Sequence, residues 1–114
     1  VYHHRAANSK KDNEGNSYTE YGDAVSFQAE QWAAGGKIQA ELYGVSLANI
    51  RNLRIEGHYQ ESSEGKKTVF RFDDGPAITV NDGICLNVSA TSAPDYRVIA
   101  IHPHRYLTLE VERI

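Results

Sequence analysis

The chain has 114 residues, 40% of them hydrophobic, and a formal net charge of −3. That length suits one domain and can bury a core without disulfide staples. The negative balance argues against general affinity for nucleic acid or acidic membrane surfaces, and no apolar run approaches the roughly 18–20 residues of a membrane span.

Cys85 is the single cysteine, which excludes an intrachain disulfide framework. Its neighbours Ile84, Leu86 and Val88 make it a strand-filling residue rather than a reactive thiol. Met is absent, even at the first position. A processed mature chain or an excised domain in an extracytoplasmic setting (secreted, or on a cell or virion surface) is therefore expected. Tyr supplies seven aromatic residues, against three Phe and one Trp, a usage that suits half-buried pleated surfaces and polar binding faces.

Residues 1–23 are polar, with almost no aliphatic side chains, and read as a flexible leader or linker ahead of a single domain at 24–114. Ala24 to Ala34 reads two ways. Val25, Phe27 and Ala29 alternate as in a strand, while Asp23 as an N-cap and Gly35-Gly36 as a stop would frame a helix. Lys37–Tyr43 alternates Ile38, Ala40 and Leu42 with polar residues and is predicted as a strand. Val45–Ile50 is a helical turn or an extended crossing. Asn52–Gln60 is a further strand, with Gly57 as a bulge.

Glu61–Lys67 reads as a polar hairpin loop, followed by a strand at Thr68–Phe72. Asp73-Asp74-Gly75-Pro76 and Asn81-Asp82-Gly83 are turns around a short strand at Ala77–Val80. Ile84–Ala90, Tyr96–His102 and Arg105–Arg113 complete the strands, and Leu107, Leu109 and Val111 form the core face of the last. The fold class is all-β, an antiparallel two-sheet sandwich of seven or eight strands. The alternative is α+β, with one helix at about 24–34 packed on an antiparallel sheet.

Candidate sites are few. His102-Pro103-His104 places two imidazoles at same-face spacing on an extended strand, with His58 the obvious third metal ligand. Val1-Tyr2-His3 would chelate Cu(II) if Val1 were a free amino terminus. Trp32, Tyr43, Tyr59, Tyr96 and Tyr106 are candidate ligand-binding rings, since planar side chains on a β-face stack on sugars or anchor a protein partner. Asp73, Asp74 and Asp82 read as turn residues, and the Glu110/Glu112 pair as a solvated outer face. No Gly-x-Ser-x-Gly or phosphate-cradling glycine loop occurs.

No cofactor is implied and no residue is singled out as catalytic. The expected function is a non-catalytic extracytoplasmic module that binds a glycan or protein partner in a surface, pilus, phage or secreted assembly. Two alternatives stand beside it: a small metalloprotein or metalloenzyme using His58, His102 and His104, and a pilin-like or secretion-system subunit whose N-terminal anchor has been removed.

Overall fold

The computed structural model describes residues 1–114 and contains ten strands. They are β1 (Tyr2–Lys11), β2 (Ser17–Phe27), β3 (Glu30–Ala33), β4 (Ile50–Ile55), β5 (Tyr59–Glu64), β6 (Lys67–Phe72), β7 (Ala77–Ile78), β8 (Gly83–Cys85), β9 (Tyr96–Pro103) and β10 (Leu107–Arg113). A single helix, α1 (Gly36–Tyr43), and a 3₁₀ segment (Gly44–Asn49) lie between β3 and β4. Seven strands form one sheet in the order β2-β1-β8-β9-β10-β4-β3, and three form a second in the order β5-β6-β7. Every pairing is antiparallel. The class is all-β with two sheets, as the alternation predicts, but with more strands than expected. No helix is long and apolar enough to cross a membrane.

The core lies where alternation is cleanest. Leu107, Leu109 and Val111 on β10, Leu53 and Ile55 on β4, and Val98 on β9 pack with Phe70 and Ile78 of the second sheet. Removing such apolar surface from water is worth about 25 cal/mol per Å² and supplies most of the drive to fold.

Several expectations are corrected; among them, Glu61–Lys67, expected as a hairpin loop, is mostly strand, with only Gly65-Lys66 between β5 and β6. Residues 1–23, expected as a flexible leader, form β1 and the first part of β2. Their alternation is weak because much of the ribbon is open on both faces, and every residue from Asn8 to Glu20 is exposed. Of the two readings of residues 24–34 the strand holds: they carry the end of β2 and all of β3, and no helix forms there.

Lys37–Tyr43, expected as a strand, is helical. Gly35-Gly36 opens this helix instead of stopping one: Gly36 takes a φ of +81°, and the Gln39 side chain accepts the Gly35 amide at 2.9 Å. The helix is inverted. Gln39 and Tyr43 face the sheet, where Gln39 bonds Asn52 at 2.8 Å, while Ile38 and Leu42 lie in solvent. Those two are the residues whose spacing read as a strand face.

The β1–β2 hairpin closes through Asp12. Its carboxylate accepts the backbone amides of Glu14 and Asn16, each at 2.9 Å. The Asn16 amide above all holds the Asp12 pKa below the ordinary 3.8. A depressed carboxylate pKa favours the closed turn above the unfolded pKa, and that advantage is lost as pH falls through the folded value. We therefore expect the Glu14 and Asn16 amide resonances to move together below about pH 4 in an NMR titration. Asp12→Asn should abolish that movement.

Candidate functional site

The seven-stranded sheet forks at Asp82-Gly83. Strand β8 is three residues long and fills only the base of the space between β1 and β9. It pairs with His3–Arg5 on one side and with Tyr96 and Arg97 on the other. It does not begin earlier because Asn81 takes a left-handed backbone, φ +80°, which breaks the extended path. The preceding residues of β7 turn away to pair with β6.

Asp82, 2% exposed, organises the fork. One carboxylate oxygen accepts His4 Nε2 at 2.7 Å and the Thr79 amide at 3.0 Å. The other accepts the Ala7 amide at 3.0 Å. Its carbonyl accepts the Val98 amide at 2.9 Å, and the Asn81 amide donates to Val98 at 2.8 Å. The sequence reading placed Asp82 on a turn, which it is, but missed its partner: His4 lies 78 positions away and is 3% exposed.

Beyond this cap no strand pairs with the facing edges of β1 and β9. The Ala7 amide points at Asp82, so by strand alternation the amides of Ser9 and Lys11 point into the same opening. At its base the slot spans two strand spacings, roughly 10 Å. The small sheet overhangs it, and together they make a cleft of about 890 Å³. Ala7 and Ser9 line it from β1, Ile101 and Pro103 from β9, and Thr68 and Phe70 from β6. Its charges are Lys66, Lys67 and Arg97 against Glu61 alone, a surplus of two positive charges on a chain of net charge −3. Arg97 bonds Glu112 at 3.1 Å, while Lys66 and Lys67 make no ion pair.

The expected aromatic residues do not form one platform. Tyr96 is buried in the core at 9% exposure, because its side of β9 faces inward. Tyr59 packs against Phe70 and Phe72 with ring centroids 6.0 and 5.6 Å away. Tyr43 donates its hydroxyl to Glu110. Tyr106 has the guanidinium carbons of Arg54 and Arg105 at 5.2 and 5.6 Å from its ring centroid. Trp32 stands half-exposed on the edge strand β3.

The histidines are also separated in their bonding. His102 Nε2 lies 3.0 Å from Glu110, and His58 Nδ1 lies 3.0 Å from Asp73. The carbonyl of His104 accepts the Tyr59 hydroxyl. No group of three or more His, Cys, Asp or Glu side chains is placed to hold a metal ion. The expected His58, His102 and His104 set is therefore corrected: two of the three imidazoles are committed to different carboxylates. His3, proposed with the amino terminus as a copper chelate, has its backbone in the β1 ladder opposite Ser26 and Cys85.

Glu110 is buried, contrary to the solvated face expected of it, and bridges Tyr43 and His102. It borders neither the cleft nor a smaller pocket of about 210 Å³ beside His58. Its contacts fasten the end of α1 and the β9–β10 hairpin to one carboxylate.

Cys85 is buried, and burial pushes its thiol above the ordinary 9.0, with the nearby Asp95 carboxylate adding to the shift. The thiolate is the nucleophile, so native protein is expected to resist iodoacetamide at pH 8. Peptide mapping across a urea series should show alkylation only as the fold is lost; rapid alkylation without urea would contradict this placement.

Sequence reasoning missed Ser9, Lys66, Lys67, Arg97 and Ile101 as neighbours in one cleft. The Gly65-Lys66-Lys67 loop was visible, but nothing local links it to residues 7–11. Comparison of the chain with protein-family models, with curated proteins and with solved structures finds no match.

Proposed function

We propose that this domain is a non-catalytic binding module that takes a segment of a protein partner into the cleft at the sheet fork, as one part of a larger extracytoplasmic assembly. The observation that carries this reading is the pair of facing strand edges at β1 and β9, one side of each unpaired, opening into a cleft with surplus positive charge. Polypeptide is the ligand class that satisfies backbone amides and carbonyls in series. A glycan is favoured less, since the rings expected to stack on sugars are dispersed over the core, the small sheet and an Arg-flanked site. The pilin-like reading would gain from a helix at 24–34 and is favoured less, since β2 ends and β3 runs there.

Peptide display and a glycan array, each run with the native domain and with Thr68→Trp, form the test. Thr68 is exposed and lines the cleft, so an indole there fills it with little cost to folding. Peptide enrichment that disappears in Thr68→Trp is expected. Glycan hits without peptide enrichment, or enrichment indifferent to Thr68→Trp, would contradict the reading.

A further inference from the structure

The geometry points to β-strand addition as the binding mode: an extended, acidic segment of a partner inserts between β1 and β9, where β8 stops, and pairs antiparallel with both. The inference rests on the cleft reading and specifies its ligand chemistry.

Strand β8 is antiparallel to β1 and to β9, so those two run the same way. Both project past the N-terminal end of β8, β1 through Ala7–Lys11 and β9 through Ile99–Pro103. A strand continuing the line of β8 therefore meets two edges of matching direction and comparable length. This is central insertion, with ladder bonds on both sides, rather than addition to an outer edge.

Hydrogen-bond parity supports it. Asp82 already receives the Ala7 amide through its side chain at 3.0 Å, taking the place a strand carbonyl would occupy. Farther along, Ser9 and Lys11 repeat that orientation, with Asn8 and Lys10 turned toward β2. The Asp12 amide, two positions beyond Lys10, indeed bonds Asn16 across the hairpin at 2.9 Å. Pro103 has no amide to offer, so β9 presents only a carbonyl at its far end.

Charge selects the ligand. Lys66 and Lys67 have no ion-pair partner and supply the free positive charge, whereas Arg97 at the cleft wall is already paired with Glu112. An acidic strand is attracted, and a basic one is repelled.

The probe is a fluorescein-labelled hexapeptide alternating Glu and Val. A Lys/Val counterpart and a version N-methylated on alternate backbone nitrogens serve as comparisons. Anisotropy gives affinity, and NMR of the domain gives location. The Glu/Val peptide is expected to bind saturably and to slow hydrogen exchange at Ser9 and Lys11. N-methylation, and separately Ser9→Pro, should each weaken binding about tenfold, since both delete backbone hydrogen bonds across the slot. Lys11→Pro is the second variant should Ser9→Pro disturb the fold. Lys66→Glu/Lys67→Glu should reverse the preference between the Glu/Val and Lys/Val peptides.

No saturable binding of the Glu/Val peptide at millimolar concentration overturns the inference. Equal binding of the N-methylated peptide, still lost in Thr68→Trp, overturns strand addition while leaving the cleft reading standing. Binding unaffected by Thr68→Trp overturns both.

Discussion

Asp82→Ala is expected to lower the stability of the domain by about 3–5 kcal/mol. The carboxylate accepts the His4 imidazole and the amides of Ala7 and Thr79 in a site that solvent barely reaches. Its removal strands all three donors, and each buried donor left without a partner costs about 1–3 kcal/mol. The effect should also be structural, since these bonds tie β1 to the residues just before β8. Urea denaturation followed by circular dichroism measures it. Asp82→Asn retains one carbonyl acceptor and should lose less, which gives a readable value if the alanine variant does not fold. A loss below about 1 kcal/mol in Asp82→Ala, the size of an average substitution, would mean that Asp82 does not hold the fork.

Gly83→Ala is the second large effect, expected at about 2–3 kcal/mol. A Cβ built on Gly83 would stand 2.4 Å from Pro94 Cγ and 2.9 Å from Tyr21 Cε1. Pro94 is not free to yield. Pro94 is buried, and the loop that carries it is held at both ends. The Asp95 carboxylate accepts the amides of Leu86 and Asn87 at 2.9 and 3.0 Å, and Arg5 donates to the Ser92 carbonyl at 2.9 Å. The ordinary cost of replacing a strand glycine runs the other way, since alanine is entropically favoured. A stabilised Gly83→Ala in thermal denaturation would therefore contradict this packing, and a marked loss would support it.

How far the fold was legible depends on which side of a strand is buried. On β10 the alternation of Leu107, Leu109 and Val111 identifies the core face, and all three are fully buried. The Asp-Gly turns at 73–76 and 81–83 were legible because their backbone angles need those residues. The β1–β2 ribbon was not, since its outer half buries nothing and therefore leaves no period. Strand β8 was overextended to Ala90 because Leu86 and Val88 keep the alternation going after the ladder has ended. There the Asp95 carboxylate, not a neighbouring strand, takes the next two amides. Helix α1 was misread because its apolar residues face outward, so period and burial disagree.

The candidate site was less legible than the fold. Residue type alone singled out aromatic rings and histidines, and the structure distributes both among packing and ion-pair roles. What defines the cleft is the early end of one strand and the separation of two others. The strand ends at Asp82, whose contact with His4 has no local pattern in the sequence. The positive surplus of Lys66, Lys67 and Arg97 was hidden by the chain's overall negative charge.

Native-state amide exchange along β1, read by NMR on the isolated domain, tests the fork most directly. Asn8 and Lys10 donate toward β2 and are expected to be protected, whereas Ser9 and Lys11 face the open slot and should exchange far faster. Equal protection at all four amides would mean that the edge of β1 is already occupied, and the account of a forked sheet would be wrong.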